Sequence, residues 1–300
     1  MTLGIEVELA GVRMRNPLVL ASGIMGNTAS ALIRVYQAGA GALTTKTVTK
    51  HPVEGYPNPV VVELPFGLIN AMGLPNPGVD YFLEELREVK RRLPEAPLIV
   101  SVGGNSPEEV ADVASVVDVG DAIEINASCP HVSGHGLEIG STPEMIGKLV
   151  GKVRESTSKP LFVKLTPMTH DIRSLGKAAV EAGADVLVAI NTLRAMVIDV
   201  EAMKPVLSNK FGGLSGPAIR PVAVRAVYEL SDLAPVVGVG GVETWRDALE
   251  MLMAGASAVG IGTAIYRRGL NVFREVSEGI INYLRSRGLT IEEVVGAAKD

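Results

Sequence analysis

Residues 236–262, VVGVGGVETWRDALEMLMAGASAVGIG, contain one complete unit of the fold. The apolar runs at residues 236–239 and 258–262 are typical of parallel strands that are buried on both faces. The segment between them predicts a helix over residues 244–253, and Gly255 suits the left-handed conformation in which many helices end. This stretch therefore predicts a strand, a helix and a second strand.

The same alternation of strand and helix runs through the chain. Ser106 before Pro107, and Thr142 before Pro143, support two helix starts, because Ser and Thr cap helices whose first turn tolerates proline. Eight such units predict an α/β fold, the (β/α)8 or TIM barrel. Strands are predicted at residues 18–21, 41–46, 98–102, 122–126, 161–165, 186–190, 236–239 and 258–262. Helices are predicted near residues 29–37, 79–92, 107–117, 172–182, 218–230, 244–253 and 272–285.

Two segments fall outside this repeat. Residues 6–14, with Gly11 near their middle, predict a β-hairpin that closes the floor of the barrel. A long insertion after the second strand contains residues 70–78, which are rich in Asn, Gly and Pro. A chain of 300 residues has room for two domains, but barrels of this size are commonly one. We therefore predict a single domain over residues 1–300.

The composition excludes several classes of function. A net charge of −5 and an aromatic content of 4% argue against a nucleic-acid partner. One cysteine allows no intramolecular disulfide, and the histidines show no metal-ligand spacing, so a reducing cytosol and no catalytic metal are expected. The N-terminus lacks a signal-peptide pattern, and no apolar stretch approaches the roughly 18 residues of a membrane span. We expect a cytoplasmic protein without a membrane anchor.

The only cysteine, Cys129, follows the predicted strand at residues 122–126. A lone intracellular cysteine is most often a small packing residue in the core. Here Pro130 ends the strand, so the thiol is predicted to lie on a loop, with Asn126 as a nearby hydrogen-bonding group. A thiol in such a place can act as a base or a nucleophile.

Polar residues and glycines follow most of the predicted strands. Because the C-terminal ends of barrel strands meet at one mouth, we expect these residues to converge there. They are Ser22, Gly23, Lys46, Thr47, Ser101, Asn126, Cys129, Lys164, Asn191, Thr192, Gly240, Gly241, Gly262 and Thr263.

The glycines after the seventh and eighth strands, at residues 240–241 and 262, predict a phosphate site. Barrels of this class bind phosphate at that place through backbone N–H groups. Glycine at a strand end also simply lets a strand meet its helix, so the signal comes from having two such turns on these two strands. Neither turn is followed by a Rossmann fingerprint, and no Walker lysine is present.

Lys164 interrupts an apolar strand, where an unpaired ammonium group would be costly. It either faces a surface ion pair or points into the barrel mouth, where it would offset negative charge on a reduced flavin ring or a similar cofactor. Lys46 has the same two alternatives. Asn70, Asn126 and Asn191 are suited to recognise a planar ring with carbonyl and N–H groups, although residues 70–78 also read as an ordinary loop.

Taken together, these segments resemble dihydroorotate dehydrogenases, the flavin enzymes of pyrimidine synthesis. The resemblance extends from about residue 4 to about residue 266. It is carried by residues 16–23, 46–49, 70–78, 126–130, 163–167, 190–192, 213–219, 240–241 and 262–263.

The resemblance implies that FMN lies in the barrel mouth and that dihydroorotate lies on its ring. Cys129 is implied to remove the proton from C5 of dihydroorotate while hydride moves from C6 to N5 of the flavin. The implied FMN contacts are Ser22, Lys46, Thr47, Asn126, Lys164, Ile190, Gly216, Gly240, Gly241, Gly262 and Thr263. The implied substrate contacts are Lys46, Asn70, Ala71, Met72, Gly73, Leu74, Asn126, Asn191 and Thr192.

Within the family, the chain resembles the soluble class 1 members, because membrane-anchored members have serine at the position of Cys129 and an N-terminal extension. Residues 136–144 resemble class 1B, whose members pass electrons to NAD⁺ through a partner subunit with FAD and a [2Fe–2S] cluster, rather than the fumarate-using class 1A. The implied assembly is a homodimer, or a heterotetramer with the iron–sulfur flavoprotein subunit. With a single cysteine, this chain could not ligate such a cluster by itself.

Two positions depart from the family pattern. His131 stands where many relatives have asparagine, and Ser101 stands where asparagine is common. Because Cys-Pro-His also occurs in the flavin domain of dihydropyrimidine dehydrogenase, reduction of uracil or thymine is one alternative function. A barrel that binds flavin without turnover, as a structural subunit, is another. The terminal electron acceptor stays open.

Overall fold

The computed structural model describes residues 4–127 and 140–299. Eight parallel strands form a closed barrel, which confirms the predicted fold. The strands lie in chain order around the barrel, and the last pairs with the first. They are β1 (Leu18–Leu20), β2 (Ala42–Thr44), β3 (Leu98–Val102), β4 (Ala122–Asn126), β5 (Leu161–Lys164), β6 (Val186–Ala189), β7 (Val236–Val239) and β8 (Ala258–Ile261).

Helices surround the barrel and pack against the outward faces of its strands. They are α1 (Ala29–Gln37), α2 (Val79–Arg92), α3 (Pro107–Val116), α4 (Pro143–Ser156), α5 (Ile172–Glu181), α6 (Arg220–Leu230), α7 (Trp245–Met253), α8 (Ala264–Arg268), α9 (Val272–Arg287) and α10 (Ile291–Val294). Ser106 and Thr142 cap α3 and α4 as the sequence indicated. The predicted helix over residues 218–230 starts as a 3₁₀ turn at Pro217–Ile219. None of the helices in the described ranges is long and apolar enough to cross a bilayer.

The N-terminal hairpin closes the barrel floor, as predicted. Its strands, Val7–Leu9 and Val12–Met14, pair in antiparallel register. Leu9, Val12 and Met14 share one buried cluster with the first residues of four alternate strands, Ala42, Ala122, Val186 and Ala258. Because the hairpin fills the N-terminal end of the barrel, the opposite end is left to form the mouth.

A four-stranded antiparallel sheet stands beside the mouth, and the sequence did not predict it. In spatial order its strands are Leu193–Met196, Phe211–Ser215, Gly67–Asn70 and Val61–Leu64. It joins the insertion after β2 to a second insertion after β6, pairing Asn70 with Gly213, 143 residues away. We call it the extension sheet. A short pair of strands, Ile198–Asp199 and Lys204–Pro205, lies in the second insertion.

Two helical glycines should respond in opposite ways to alanine. Gly151 in α4 has open space where a Cβ would lie, whereas a Cβ on Gly176 in α5 would sit 2.3 Å from Leu230 Cδ2 and 3.2 Å from Leu187 Cδ1. We expect Gly151→Ala to raise the free energy of unfolding by about 0.5–1 kcal/mol, because alanine loses less backbone entropy. We expect Gly176→Ala to lower it by about 1–3 kcal/mol through overpacking. Urea unfolding followed by circular dichroism measures both, and shifts of the same sign would contradict the packing described for α5.

Candidate active site

A cleft of about 730 Å³ opens at the C-terminal end of the barrel. Its volume lies within the range of small-molecule and cofactor sites. The extension sheet contributes Val61 and Leu68 to one side of it. Most of the residues predicted to form the site line this cleft: Ser22, Lys46, Asn70, Met72, Lys164, Ile190, Asn191, Thr192, Gly216, Gly240, Gly241, Gly262 and Thr263.

Thr47 and Asn126 do not line the cleft but contact residues that do. The Thr47 hydroxyl is buried and lies 3.4 Å from the Ser22 hydroxyl. Asn126 donates a hydrogen bond from Nδ2 to Thr47 Oγ1 over 3.2 Å, and it accepts one at Oδ1 from Asn191 Nδ2 over 3.3 Å. The structure therefore brings both residues to the underside of the predicted site.

Three of the predicted substrate contacts lie away from the cleft wall. Ala71 is buried in the small core of the extension sheet. Gly73 and Leu74 occupy a turn with positive φ, and the Leu74 carbonyl accepts a hydrogen bond from Asn76 Nδ2. A second cavity of about 230 Å³, lined by Asn76 and its neighbours, shares Lys46 with the cleft. Lys46 therefore lines both cavities, whereas Gly73 and Leu74 line neither of them.

Cys129 lies outside the described residues, as does His131. The structure does fix the two ends of the segment that contains them. Ala127 follows β4 and is buried, and its carbonyl accepts a hydrogen bond from the Gly140 N–H over 2.9 Å. Ala127 and Gly140, the described residues on either side of that segment, therefore lie together at the C-terminal end of β4.

At Gly240 and Gly241, directly after β7, the cleft is lined by bare backbone. Gly240 and Gly241 have φ values of 141° and 73°, which favour glycine. A Cβ on Gly241 would lie 2.7 Å from the Gly216 carbonyl oxygen, and one on Gly240 would lie 2.8 Å from Ala223 Cβ. Glycine is therefore required at both positions. Bare backbone of this kind suits an anion such as phosphate, which binds to main-chain N–H groups.

Lys164 takes the inward-facing alternative. It is only 7% exposed, and in the strand register it lies opposite Asn126 of β4 and Val188 of β6. Its side chain lines the cleft, as does that of Lys46, which is half-buried. Two lysines therefore make this end of the cleft suitable for a ligand with negative charge.

Glu124 is a site residue that the sequence analysis missed. It is 4% exposed inside the barrel, and the Ser101 hydroxyl donates a hydrogen bond to its Oε1 over 3.2 Å. Burial raises the pKa of the Glu124 carboxyl, while the positive charge of Lys164 and the hydrogen bond from Ser101 oppose that rise. The available signal was its position two residues before Asn126, because alternate residues of a strand share one face.

The site combines bare backbone near β7, two lysines, and amide side chains from Asn70, Asn126 and Asn191. These groups fit a planar ligand that carries carbonyl and N–H groups and an anionic end. Within residues 4–127 and 140–299, no group of three or more His, Cys, Asp or Glu side chains could hold a metal ion.

Comparison with known proteins gives one consistent result. A family model described as dihydroorotate dehydrogenase matches residues 4–284. A Pyrococcus abyssi protein named dihydroorotate dehydrogenase B (NAD(+)), catalytic subunit, is 52% identical over 298 residues, which cover 98% of this chain and 99% of that protein. Proteins of the same name from Pyrococcus furiosus and Methanocaldococcus jannaschii are 51% and 46% identical, each over 301 residues covering 99% of this chain, and 99% and 98% of their own lengths.

Proposed function

Since the chain belongs to the dihydroorotate dehydrogenase family, we propose that it oxidises (S)-dihydroorotate to orotate with FMN as the immediate electron acceptor. The family makes the chain an oxidoreductase; the substrate and the cofactor are the proposal. The observation that carries it is one cleft at the barrel mouth that gathers Lys46, Lys164, Asn70, Asn191 and the backbone of residues 240–241. We also propose that residues 1–300 act as one domain.

The residues of the cleft fit FMN. The backbone of Gly240, Gly241, Gly262 and Thr263 would hold its phosphate, because Cβ atoms are excluded at the first two positions. The proposed contacts with the ring are Ser22, Lys46, Thr47, Asn126, Lys164, Ile190 and Gly216. When bound, FMN supplies the acceptor for a hydride.

Dihydroorotate has ring carbonyl and N–H groups and one carboxylate. Asn70, Asn126 and Asn191 have amides that can donate and accept hydrogen bonds with such a ring. Lys46 supplies positive charge beside them. We assign substrate binding to these residues together with Thr192, with residues 71–74 shaping the neighbouring turn. The two lysines and the amides would orient the substrate so that C6 faces the flavin.

Cys129 is proposed as the base. Its thiolate would take the proton from C5 while hydride leaves C6, so that a C–C double bond forms and two electrons pass to the flavin. The place of Cys129 in the chain supports this role, because it is three residues beyond Asn126, whose neighbour Ala127 lies at the C-terminal end of β4.

The relatives are named as catalytic subunits of an NAD⁺-linked enzyme, which implies a partner subunit. We propose that electrons leave the FMN through a partner that carries FAD and a [2Fe–2S] cluster, and that two copies of this chain form the core of the assembly. The single cysteine supports a separate polypeptide for the cluster. Assays of the chain alone with NAD⁺, fumarate, a quinone and a dye test this. Activity with the dye only is expected, and turnover with NAD⁺ by the isolated chain would contradict it.

The proposed function is tested on the purified chain by its visible absorption and by anaerobic titration. We expect flavin bands that bleach with dihydroorotate and stay unchanged with dihydrouracil. Bleaching by dihydrouracil alone would favour the dihydropyrimidine alternative. Flavin bands that neither substrate bleaches would favour a non-catalytic barrel, and a protein that takes up no FMN would overturn the assignment.

Gly241→Ala should lower the affinity for FMN by at least about tenfold. The new Cβ would meet the Gly216 carbonyl at 2.7 Å and Arg220 Cβ at 2.8 Å, so the loop must move away from the position proposed to hold the phosphate. A displacement of this kind removes one or more charge-assisted hydrogen bonds, each worth about 1.5–3 kcal/mol. FMN affinity is measured by fluorescence quenching on titration of the apoprotein.

Gly269→Ala is the matched control. Gly269 has a similar φ of 69°, but no atom lies within 4 Å of its Cβ position, and the residue is not part of the cleft wall. It should lose stability through backbone strain and keep its FMN affinity. Equal losses of affinity in both variants would contradict a specific role for Gly241.

A further inference from the structure

The buried carboxylate of Glu124 stands at one end of a row of hydrogen bonds that ends at the cleft. Ser101 Oγ lies 3.2 Å from Glu124 Oε1, and Thr47 Oγ1 lies 2.9 Å from Ser101 Oγ. Asn126 Nδ2 then reaches Thr47 Oγ1 over 3.2 Å, and Asn191 Nδ2 reaches Asn126 Oδ1 over 3.3 Å. These five residues come from β3, β4, the end of β2 and the end of β6, so the row crosses the barrel from its interior to its mouth.

The two ends of this row, the Glu124 carboxylate and the Thr192 N–H, favour the same direction for every bond between them. In its ionised form the Glu124 carboxyl can only accept, and the Ser101 hydroxyl then donates its one hydrogen to it. Ser101 then has only lone pairs for Thr47, and the Thr47 hydroxyl must donate in its turn. Thr47 is left with lone pairs toward Asn126, which must present its NH₂ group and not its carbonyl oxygen.

The same constraint extends to the cleft wall. With Nδ2 of Asn126 turned to Thr47, its Oδ1 faces Asn191 and accepts from the amide Nδ2 there. Asn191 Oδ1 in turn accepts the Thr192 N–H over 2.8 Å. Asn191 and Thr192 both line the cleft. The Asn191 amide is therefore the last group of the row, and its orientation is the one that a ligand in the cleft meets.

We propose, on the basis of the function proposed above, that Glu124 is a positioning residue whose carboxylate, acting with the Thr192 N–H at the other end, fixes the amide orientation of Asn126 and Asn191 through the hydroxyls of Ser101 and Thr47. A neutral group at position 124 can donate as well as accept, so the row would no longer have a single direction. The Thr192 N–H alone would then favour the present orientation, so the opposite orientation of the amides would be populated more often. The two orientations present opposite hydrogen-bonding groups to the carbonyl and N–H groups of dihydroorotate or orotate.

The competing explanation is that Glu124 acts through the charge of Lys164, which also faces it. The two explanations predict different results for a substitution of Ser101. Removing the Ser101 hydroxyl cuts the row while leaving both charges in place. Replacing Glu124 by Gln removes the charge and leaves a side chain of the same shape.

The test measures the affinity of the FMN-loaded protein for orotate. Binding is monitored through the change that orotate causes in the flavin absorption spectrum. We expect Glu124→Gln and Ser101→Ala each to weaken orotate about 3- to 10-fold, the size of one lost hydrogen bond. The double variant should be no weaker than either single variant, because both act through the same row. FMN affinity and the melting temperature are measured in parallel, and Ser277→Ala, which removes a buried hydroxyl in α9, controls for loss of a hydroxyl as such.

Three outcomes would overturn the proposal. They are unchanged orotate affinity in Glu124→Gln, a loss in Glu124→Gln with none in Ser101→Ala, and losses that multiply in the double variant. The second outcome would assign the effect to the charge beside Lys164. If orotate does not change the flavin spectrum of the wild-type protein, the proposed function itself is overturned. That result is obtained before any variant is made.

Discussion

Cys129→Ala is expected to retain FMN and to slow its reduction by dihydroorotate about 10²- to 10⁴-fold. The substitution removes the proposed proton acceptor and leaves unchanged the groups proposed to hold the flavin, among them Lys164 and Gly241. The C5 proton then has no acceptor with a suitable pKa. Hydride transfer from C6 becomes slow, because it is no longer accompanied by removal of that proton. Anaerobic stopped-flow absorption measures the rate at which the flavin bleaches after mixing with dihydroorotate.

Two measurements make this result specific to proton removal. Orotate should still perturb the flavin spectrum of Cys129→Ala, because binding needs no base. Cys129→Ser should reduce its flavin with a pH dependence displaced upward, since a hydroxyl loses its proton at far higher pH than a thiol with its ordinary pKa of about 8.5. Reduction of Cys129→Ala at the wild-type rate would remove the base assignment.

Lys164→Met should weaken FMN binding and slow flavin reduction by about 10- to 100-fold, the equivalent of one hydrogen bond to a charged group. Lys164 is buried and lines the cleft, so its charge is poorly screened by water. The loss of this charge should also make the reduction potential of the bound flavin more negative, because the ammonium favours the ring once it has gained electrons. FMN titration, stopped-flow reduction and a dye-coupled potential measurement report the three effects.

The variant also leaves the Glu124 carboxyl without its neighbouring positive charge. The double variant Lys164→Met with Glu124→Gln separates this cost from the effect on the flavin, because no buried carboxylate then remains. Lys152→Met on α4, where the ammonium is half-exposed and pairs with Glu155, controls for the change in net charge. A Lys164→Met protein with normal FMN affinity and normal reduction would contradict the role given to this lysine.

The barrel was predictable because each strand carries its own local signal. Val236–Val239 and Ala258–Ile261 are apolar along their whole length, as strands covered on both faces must be, and the intervening helix begins at a capping threonine. The extension sheet has no such signal. Val61–Leu64 and Leu193–Met196 are partly exposed, and they belong to one sheet only because Gly67–Asn70 and Phe211–Ser215 pair across the two insertions. A strand that forms only because a distant strand pairs with it cannot be recognised from a short stretch of sequence.

The candidate site also has features with a local sequence signal and features without one. A lysine within an apolar strand and glycines at two strand ends singled out Lys164, Gly240 and Gly241, and the structure places all three in the cleft wall. Burial of a charge and exclusion of a side chain each restrict the residue type, so both leave a local signal. Their convergence on one cleft followed from the rule that barrel strands end at a common mouth. The displacement of Ala71, Gly73 and Leu74 from the cleft wall did not follow, since it depends on how the insertion folds onto the extension sheet.

The sequence alone thus determined the barrel, the end at which the candidate site lies, and the types of side chain that meet there. Each of these has a short-range cause in burial or in backbone conformation. Only the tertiary structure decided that Glu124, Ser101, Thr47 and Asn126 form one row of hydrogen bonds. Three neighbouring strands must close in a particular register before those side chains meet. Register is set by the whole barrel, so no local stretch of sequence contains it.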